Sequence, residues 1–179
     1  MKKEYTLTVY TEDQIGLINK ITIMFSRKKV ELKSLNVSSS EIDKMYRFTI
    51  VITETPDAAK NLVHQIEKII EVFKCYCNTN EEIFSIQTAL YKLKTNIMMK
   101  AENMDDLMRK FNAKFLSIEK KYSAIEATGS ENDIDNLTAV LYNYGLVEFV
   151  KSSKISLNKS SDGFTTELFN MEENQIKQT

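Results

Sequence analysis

The feature that most narrows what this chain can become is the order of its hydrophobic periods. Apolar residues recur at every second position, then at every third and fourth, then in two more stretches of every second position, and the cycle closes with another helical and another alternating stretch by about Thr79. A similar order then begins again, which points to a structural duplication with little sequence identity.

The first cycle reads in detail. Glu4 to Thr11 places Tyr5, Leu7 and Val9 on one face and Glu4, Thr6 and Thr8 on the other, as expected of a half-buried strand. Thr11-Glu12-Asp13-Gln14 forms a polar loop, and from Gly16 the residues Leu17, Ile18, Ile21, Met24 and Phe25 make a helical stripe ending near Lys28. Alternation returns over Val30 to Val37 and Met45 to Thr53, separated by polar Ser38 to Lys44, which predicts an antiparallel pair. Pro56 suits the first turn of a helix capped by Thr55, with Leu62, Val63, Ile66, Ile69 and Ile70 as its buried stripe, and Val72 to Asn78 closes the unit as a strand.

The second cycle predicts a strand over Phe84–Lys94, a helix over Asn103–Asn112, strands over Lys114–Lys120 and Tyr122–Thr128, a helix over Asn132–Tyr144 and a strand over Val147–Leu157. Gly145 stands where a left-handed helix C-cap needs it, and Ser130 follows Gly129 as an N-cap. The expected class is α+β, with two ferredoxin-like βαββαβ domains over residues 1–80 and 83–158. Residues 159–179 read as a polar, mobile tail in which Phe164, Leu168 and Phe169 offer a docking patch.

Charge and composition exclude several function classes. Twenty-four Lys and Arg against 25 Asp and Glu leave a net charge of −1, without the positive field that gathers nucleic acid. The first residues alternate at once, with no apolar run for export or membrane insertion, so a cytoplasmic protein is expected. Cys75 and Cys77 share one face of a strand and read as packing groups. With His64 as the single histidine they fall short of a zinc set. His64 itself reads as a surface or interface residue, and Met98, Met99, Met104 and Met108 read as packing. Arg27-Lys28-Lys29 complements the negative end of the first helix. No phosphate loop, metal-binding histidine pair or nucleophile elbow is present, so catalysis by this chain alone is not expected.

Val9 to Val37, with Gly16-Leu17, the helix Ile21 to Phe25-Ser26-Arg27 and Ser34-Leu35-Asn36-Val37, resembles the ACT domain of acetolactate (acetohydroxyacid) synthase small subunits. Thr128-Gly129-Ser130 and Val147-Glu148-Phe149-Val150-Lys151-Ser152 are similar to that family's C-terminal, ACT-like domain. The resemblance implies a non-catalytic regulatory subunit in branched-chain amino acid biosynthesis. It also implies homodimerisation and a large catalytic subunit carrying thiamine diphosphate, magnesium and FAD, with no cofactor in this chain and no nucleic-acid or membrane partner. A stand-alone ACT-type amino-acid sensor is the alternative.

In the family a branched-chain amino acid, usually valine, binds where the first loop and helix start meet the second strand across the dimer interface. By resemblance the effector residues here are Asp13, Gly16, Leu17, Ile18, Glu31 and Leu32. Gly16 lets backbone approach a ligand, and free amides at a helix start favour a carboxylate. Asp13 stands where the family commonly has an amide-type residue and Glu31 where it usually has Asn, so feedback altered in affinity or ligand choice is expected.

Overall fold

The computed structural model describes residues 1–176. They form two compact units, Met1–Phe84 with the segment from Ser156 onward, and Ser85–Ile155.

In the first unit the elements follow the expected order: β1 (Lys3–Glu12), α1 (Leu17–Lys28), β2 (Leu32–Ser39), β3 (Met45–Glu54), α2 (Pro56–Ile66) and β4 (Val72–Asn78). The sheet runs β2-β3-β1-β4 with antiparallel neighbours. Tyr5, Leu7 and Val9 project to one side of β1 and meet Leu17, Ile21 and Phe25 of α1 and Ala59, Leu62 and Ile66 of α2. Each helix start has a local cause. Thr55 Oγ1 accepts from the Ala58 amide at 3.4 Å, with Pro56 at the first helical position. Gly16 takes φ 90° at the N-cap of α1, a region where a side chain would strain the backbone.

Two expectations here change. β2 begins at Leu32 rather than Val30, because Lys29 adopts a left-handed φ of 54° and closes α1 by donating to the carbonyls of Phe25 and Ser26. β1 is buried on both faces rather than one: Thr6 is fully buried and Thr8 is 8% exposed. β1 lies at the centre of the sheet, and on its second face Tyr10 is covered by Phe164.

Much of the expected tail is helical, and its residues 177–179 lie outside the described residues. Residues Phe164–Ile176 form a helix, α6, belonging to the first unit. Phe164 is 1% exposed, stacked on Tyr10 with ring centroids 4.0 Å apart and planes inclined by 14°. Leu168 packs beside it with Ile42 and Tyr76, while Phe169 remains 61% exposed. One buried aromatic residue and its neighbour one turn later suffice to seat a helix most of whose other positions are polar.

The second unit holds β5 (Ile83–Lys94), the short turn α3 (Thr95–Met98), α4 (Met104–Lys110), β6 (Ala113–Ile118), β7 (Tyr122–Gly129), α5 (Glu131–Leu141) and β8 (Leu146–Lys151). Its sheet runs β6-β7-β5-β8. After Ile155 the chain returns to the first unit through β9 (Ile155–Asn158). The single strand expected over Val147–Leu157 is thus two strands, separated at Ser152 to Lys154. Ala89, Tyr91 and Leu93 of β5 face Met98, Met104 and Met108, and with Ile134, Leu137 and Leu141 of α5 they form the core. Met99 is 69% exposed, so three of the four clustered methionines are packing groups. Ser130 and Asp133 form a reciprocal capping box at the start of α5. Gly145 sits at φ 77°, where an added Cβ would lie 2.9 Å from Ile97 Cδ1.

Candidate functional site: the cleft at the start of the first helix

The loop from β1 to α1 is held at both ends by backbone. The Asp13 amide donates to the Lys44 carbonyl at 3.0 Å, the Glu12 amide to the Glu71 carbonyl at 2.9 Å, and the Leu17 amide to the Gln14 carbonyl at 3.3 Å. Beside this loop opens a cleft of about 180 Å³, whose loop and helix wall is Glu12, Asp13, Gln14, Gly16, Leu17 and Ile18. Val37, Tyr46 and Phe48 form the sheet wall. The register explains this, since Val37 of β2 pairs with Phe48 of β3 and Glu12 of β1 pairs with Met45.

The cleft offers three kinds of group. The amides of Asn19 and Lys20 donate to the Gly16 carbonyl, while that of Ile18 has no backbone acceptor among the described residues. With no acidic residue in its first turn, α1 presents the positive end of its dipole to the cleft. Asp13 adds a carboxylate to the wall, and Ile18, 44% exposed, adds an apolar surface with Val37 and Tyr46. Helix start, carboxylate and apolar wall together suit a small zwitterion with a hydrophobic side chain. At the edge of this region Lys20 pairs with Glu71, and that hydrogen bond holds the Glu71 carboxyl below the ordinary carboxylate range.

Four of the six residues singled out from the sequence, Asp13, Gly16, Leu17 and Ile18, therefore line one cleft. Glu31 and Leu32 do not. Leu32 pairs with Ile52, five residues along β2 from Val37, a separation of roughly 17 Å at about 3.3 Å per residue. Within one protomer they sit at the far end of the strand. Val37, Tyr46 and Phe48 were not singled out. The alternation of the hairpin strands was their only signal, and it shows a face without showing which loop that face meets.

His64 is exposed on α2. Cys75 and Cys77 are free thiols on β4. Burial pushes the Cys75 thiol well up and the Cys77 thiol to about 11, with the Glu67 charge adding to the first and that of Glu82 to the second. Neither has the lowered pKa of a reactive cysteine. Among the described residues no group of three or more His, Cys, Asp or Glu side chains could hold a metal, and no helix is long and apolar enough to cross a membrane.

Comparison with known families decides the relationship. Residues 7–74 match the ACT domain of the acetohydroxyacid synthase small-subunit type, and residues 87–160 match the small subunit of acetolactate synthase. This chain belongs to the acetolactate synthase small-subunit family. Among its relatives, the acetolactate synthase small subunit of Mycobacterium bovis is 27% identical over 164 residues, spanning 92% of this chain and 97% of that one. The Bacillus subtilis small subunit is 28% identical over 153 residues, spanning 85% and 87%. The crystal structure of the Thermotoga maritima small subunit superposes with a TM-score of 0.80 over 89% of this chain and 99% of that one, at 19% identity, which shows a shared fold. The first ferredoxin-like sheet is thus the family's ACT domain, and the second is the domain that follows it in the family.

Proposed function

We propose that this subunit binds an acetolactate synthase large subunit and raises its activity, and that a branched-chain amino acid in the β1–α1 cleft opposes that activation. The large subunit, with its thiamine diphosphate, magnesium and FAD, performs the chemistry. The small subunit changes the relative free energies of the large subunit's active and less active arrangements. The supporting observation is the cleft itself, which combines an unpaired amide at a helix start, the Asp13 carboxylate and the apolar Ile18, Val37 and Tyr46.

Glu31 and Leu32 enter this reading through a second copy of the chain, which would bring the start of its own β2 to the cleft. A carboxylate there engages the ligand's ammonium but repels its carboxylate, so binding is weaker than with a neutral amide at that position. Calorimetric titration with valine tests both points. Saturable binding that is weakened by Ile18→Ala and strengthened by Glu31→Asn is the expected result. Binding indifferent to both substitutions would move the effector site elsewhere and leave the family relationship intact.

A further inference from the structure

Thr6, Thr8 and Tyr10 project from β1 on the side opposite Leu7 and Val9, away from α1 and α2. On that side a second cavity, of about 410 Å³, opens among Thr8, Tyr10, Arg47, Tyr76, Leu157 and Phe164. Its size falls within the range of roughly 300 to 1,000 Å³ usual for small-molecule sites. It lies wholly within the first unit and shares no residue with the β1–α1 cleft.

The charges in this cavity are arranged unusually. Arg47, half-buried, sits opposite Tyr10 in the β1–β3 register, with its guanidinium 5.7 Å from the centre of the Tyr10 ring. Its recorded hydrogen bond is from Nη2 to the Ser156 carbonyl, although a guanidinium has five N–H donors. Among the described residues no carboxylate lies within ion-pair distance of it. Carboxylates are nearby, but phenols hold them. Glu41 accepts from Tyr10 Oη at 3.4 Å, and Glu167 accepts from Tyr76 Oη at 2.5 Å. Burial, with the neighbouring Glu charges, raises the ionisation range of both phenols, so they stay neutral donors. Arg47 Nε and Ser156 Oγ are buried without a hydrogen-bond partner.

A partly desolvated cation without a counter-charge is costly, and an anion in hydrogen-bonding reach offsets that cost. The one arginine suits one negative charge in direct hydrogen-bonding reach, and the Glu41 and Glu167 carboxylates nearby disfavour a second, so a phosphate dianion does not fit. The rings of Tyr10, Tyr76 and Phe164 and the side chain of Leu157 provide apolar surface for the rest of a ligand. We propose that this cavity is a second small-molecule site, taking an organic monocarboxylate with an apolar or aromatic body, its carboxylate on Arg47 and its body against these side chains. The inference is independent of the effector cleft.

The test is a calorimetric titration of the full chain with 3-phenylpropionate, repeated with L-phenylalanine, which has the same body plus an ammonium. Saturable binding of 3-phenylpropionate is expected, weakened about tenfold or more by Arg47→Gln, a typical loss for a charge-assisted pair. Tighter binding of L-phenylalanine would identify an amino acid as the natural class through the nearby Glu41. Tighter binding of 3-phenylpropionate would identify a simple acid. Ile18→Ala, in the other cleft, leaves the titration unchanged. Amide shifts in the wild-type chain give a second readout should Arg47→Gln fail to fold. Shifts at Thr8, Tyr10 and Phe164 support the site, and shifts confined to Asp13 through Ile18 overturn it. Absence of saturable binding at millimolar ligand, or wild-type affinity in a folded Arg47→Gln, also overturns it.

Discussion

Truncating Phe164 to alanine should release α6 from its sheet while leaving the rest of the first unit folded. The side chain is 1% exposed and stacked on Tyr10 at 4.0 Å, and with the half-buried Leu168 it is the main apolar anchor of the helix. Removing a fully enclosed phenylalanine costs about 3 to 5 kcal/mol. Leu168 keeps its contacts with Ile42 and Tyr76 after the substitution, so the lower end of that range applies. The remaining polar contact, Tyr76 to Glu167, cannot replace it, because a hydrogen bond of this kind contributes about 1.5 to 3 kcal/mol only while the helix is seated. A loss of about 3 kcal/mol makes local opening roughly 150-fold more frequent. Native-state hydrogen exchange reads this directly: the amides of Leu168 to Met171 should exchange about a hundredfold faster, with the β1 and β3 amides changing far less. Phe169→Ala, at a position 61% exposed, is the matched control and should change exchange by no more than about 0.5 kcal/mol equivalent. Equal effects from the two substitutions, or a change below about 1 kcal/mol for Phe164→Ala, would refute the account of how α6 is seated.

Four further outcomes follow from the structure. Gly16→Ala meets no neighbouring atom but must hold φ near 90°, so thermal unfolding should show a loss of about 1 to 2 kcal/mol. Gly145→Ala adds a contact 2.9 Å from Ile97 and should cost more. Ser130→Ala removes a capping box and should lower stability by about 1 kcal/mol in urea titration. The raised pKa of Cys77 fixes the sign of an alkaline effect. Its folded value of about 11 exceeds that of an ordinary thiol, so its contribution is full below the ordinary thiol range of about 8.5 and is lost as pH rises through 11. The raised Tyr10, Tyr76 and Tyr91 phenols act in the same direction above pH 10. Urea midpoints should therefore fall between pH 8.5 and 10.5 by roughly one pKa unit's worth, about 1 kcal/mol or more, and Cys77→Ser should reduce the early part of that fall.

The double βαββαβ order was legible because each strand and helix of the two cores keeps its period over several residues: Tyr5, Leu7 and Val9, or Leu62 and Ile66, point to one interior in sequence and in structure. What escaped lies where period is uninformative. The break between β8 and β9 falls in the polar run Lys151 to Lys154, too short to be told from an exposed stretch of one continuous strand. Lys29 ends α1 in a left-handed conformation that sequence reserves for glycine or asparagine. Residues 164–176 are mostly polar, and the docking of α6 depends on Phe164 finding Tyr10, some 150 residues earlier, which no local pattern encodes. The candidate cleft divides in the same way. Asp13, Gly16, Leu17 and Ile18 are contiguous and could be recognised together, whereas Tyr46 and Phe48 arrive through strand register. Arg47 attracted no notice in the sequence because nothing local distinguishes an arginine facing solvent from one facing a cavity.

The measurement closest to the central claim is acetolactate formation from pyruvate by the cognate large subunit, with and without this chain, followed by a valine titration of the mixture. The account predicts that the chain raises the rate, and that valine lowers it again with a midpoint shifted by Ile18→Ala. No change in rate, together with no complex between the two proteins on gel filtration, would contradict it.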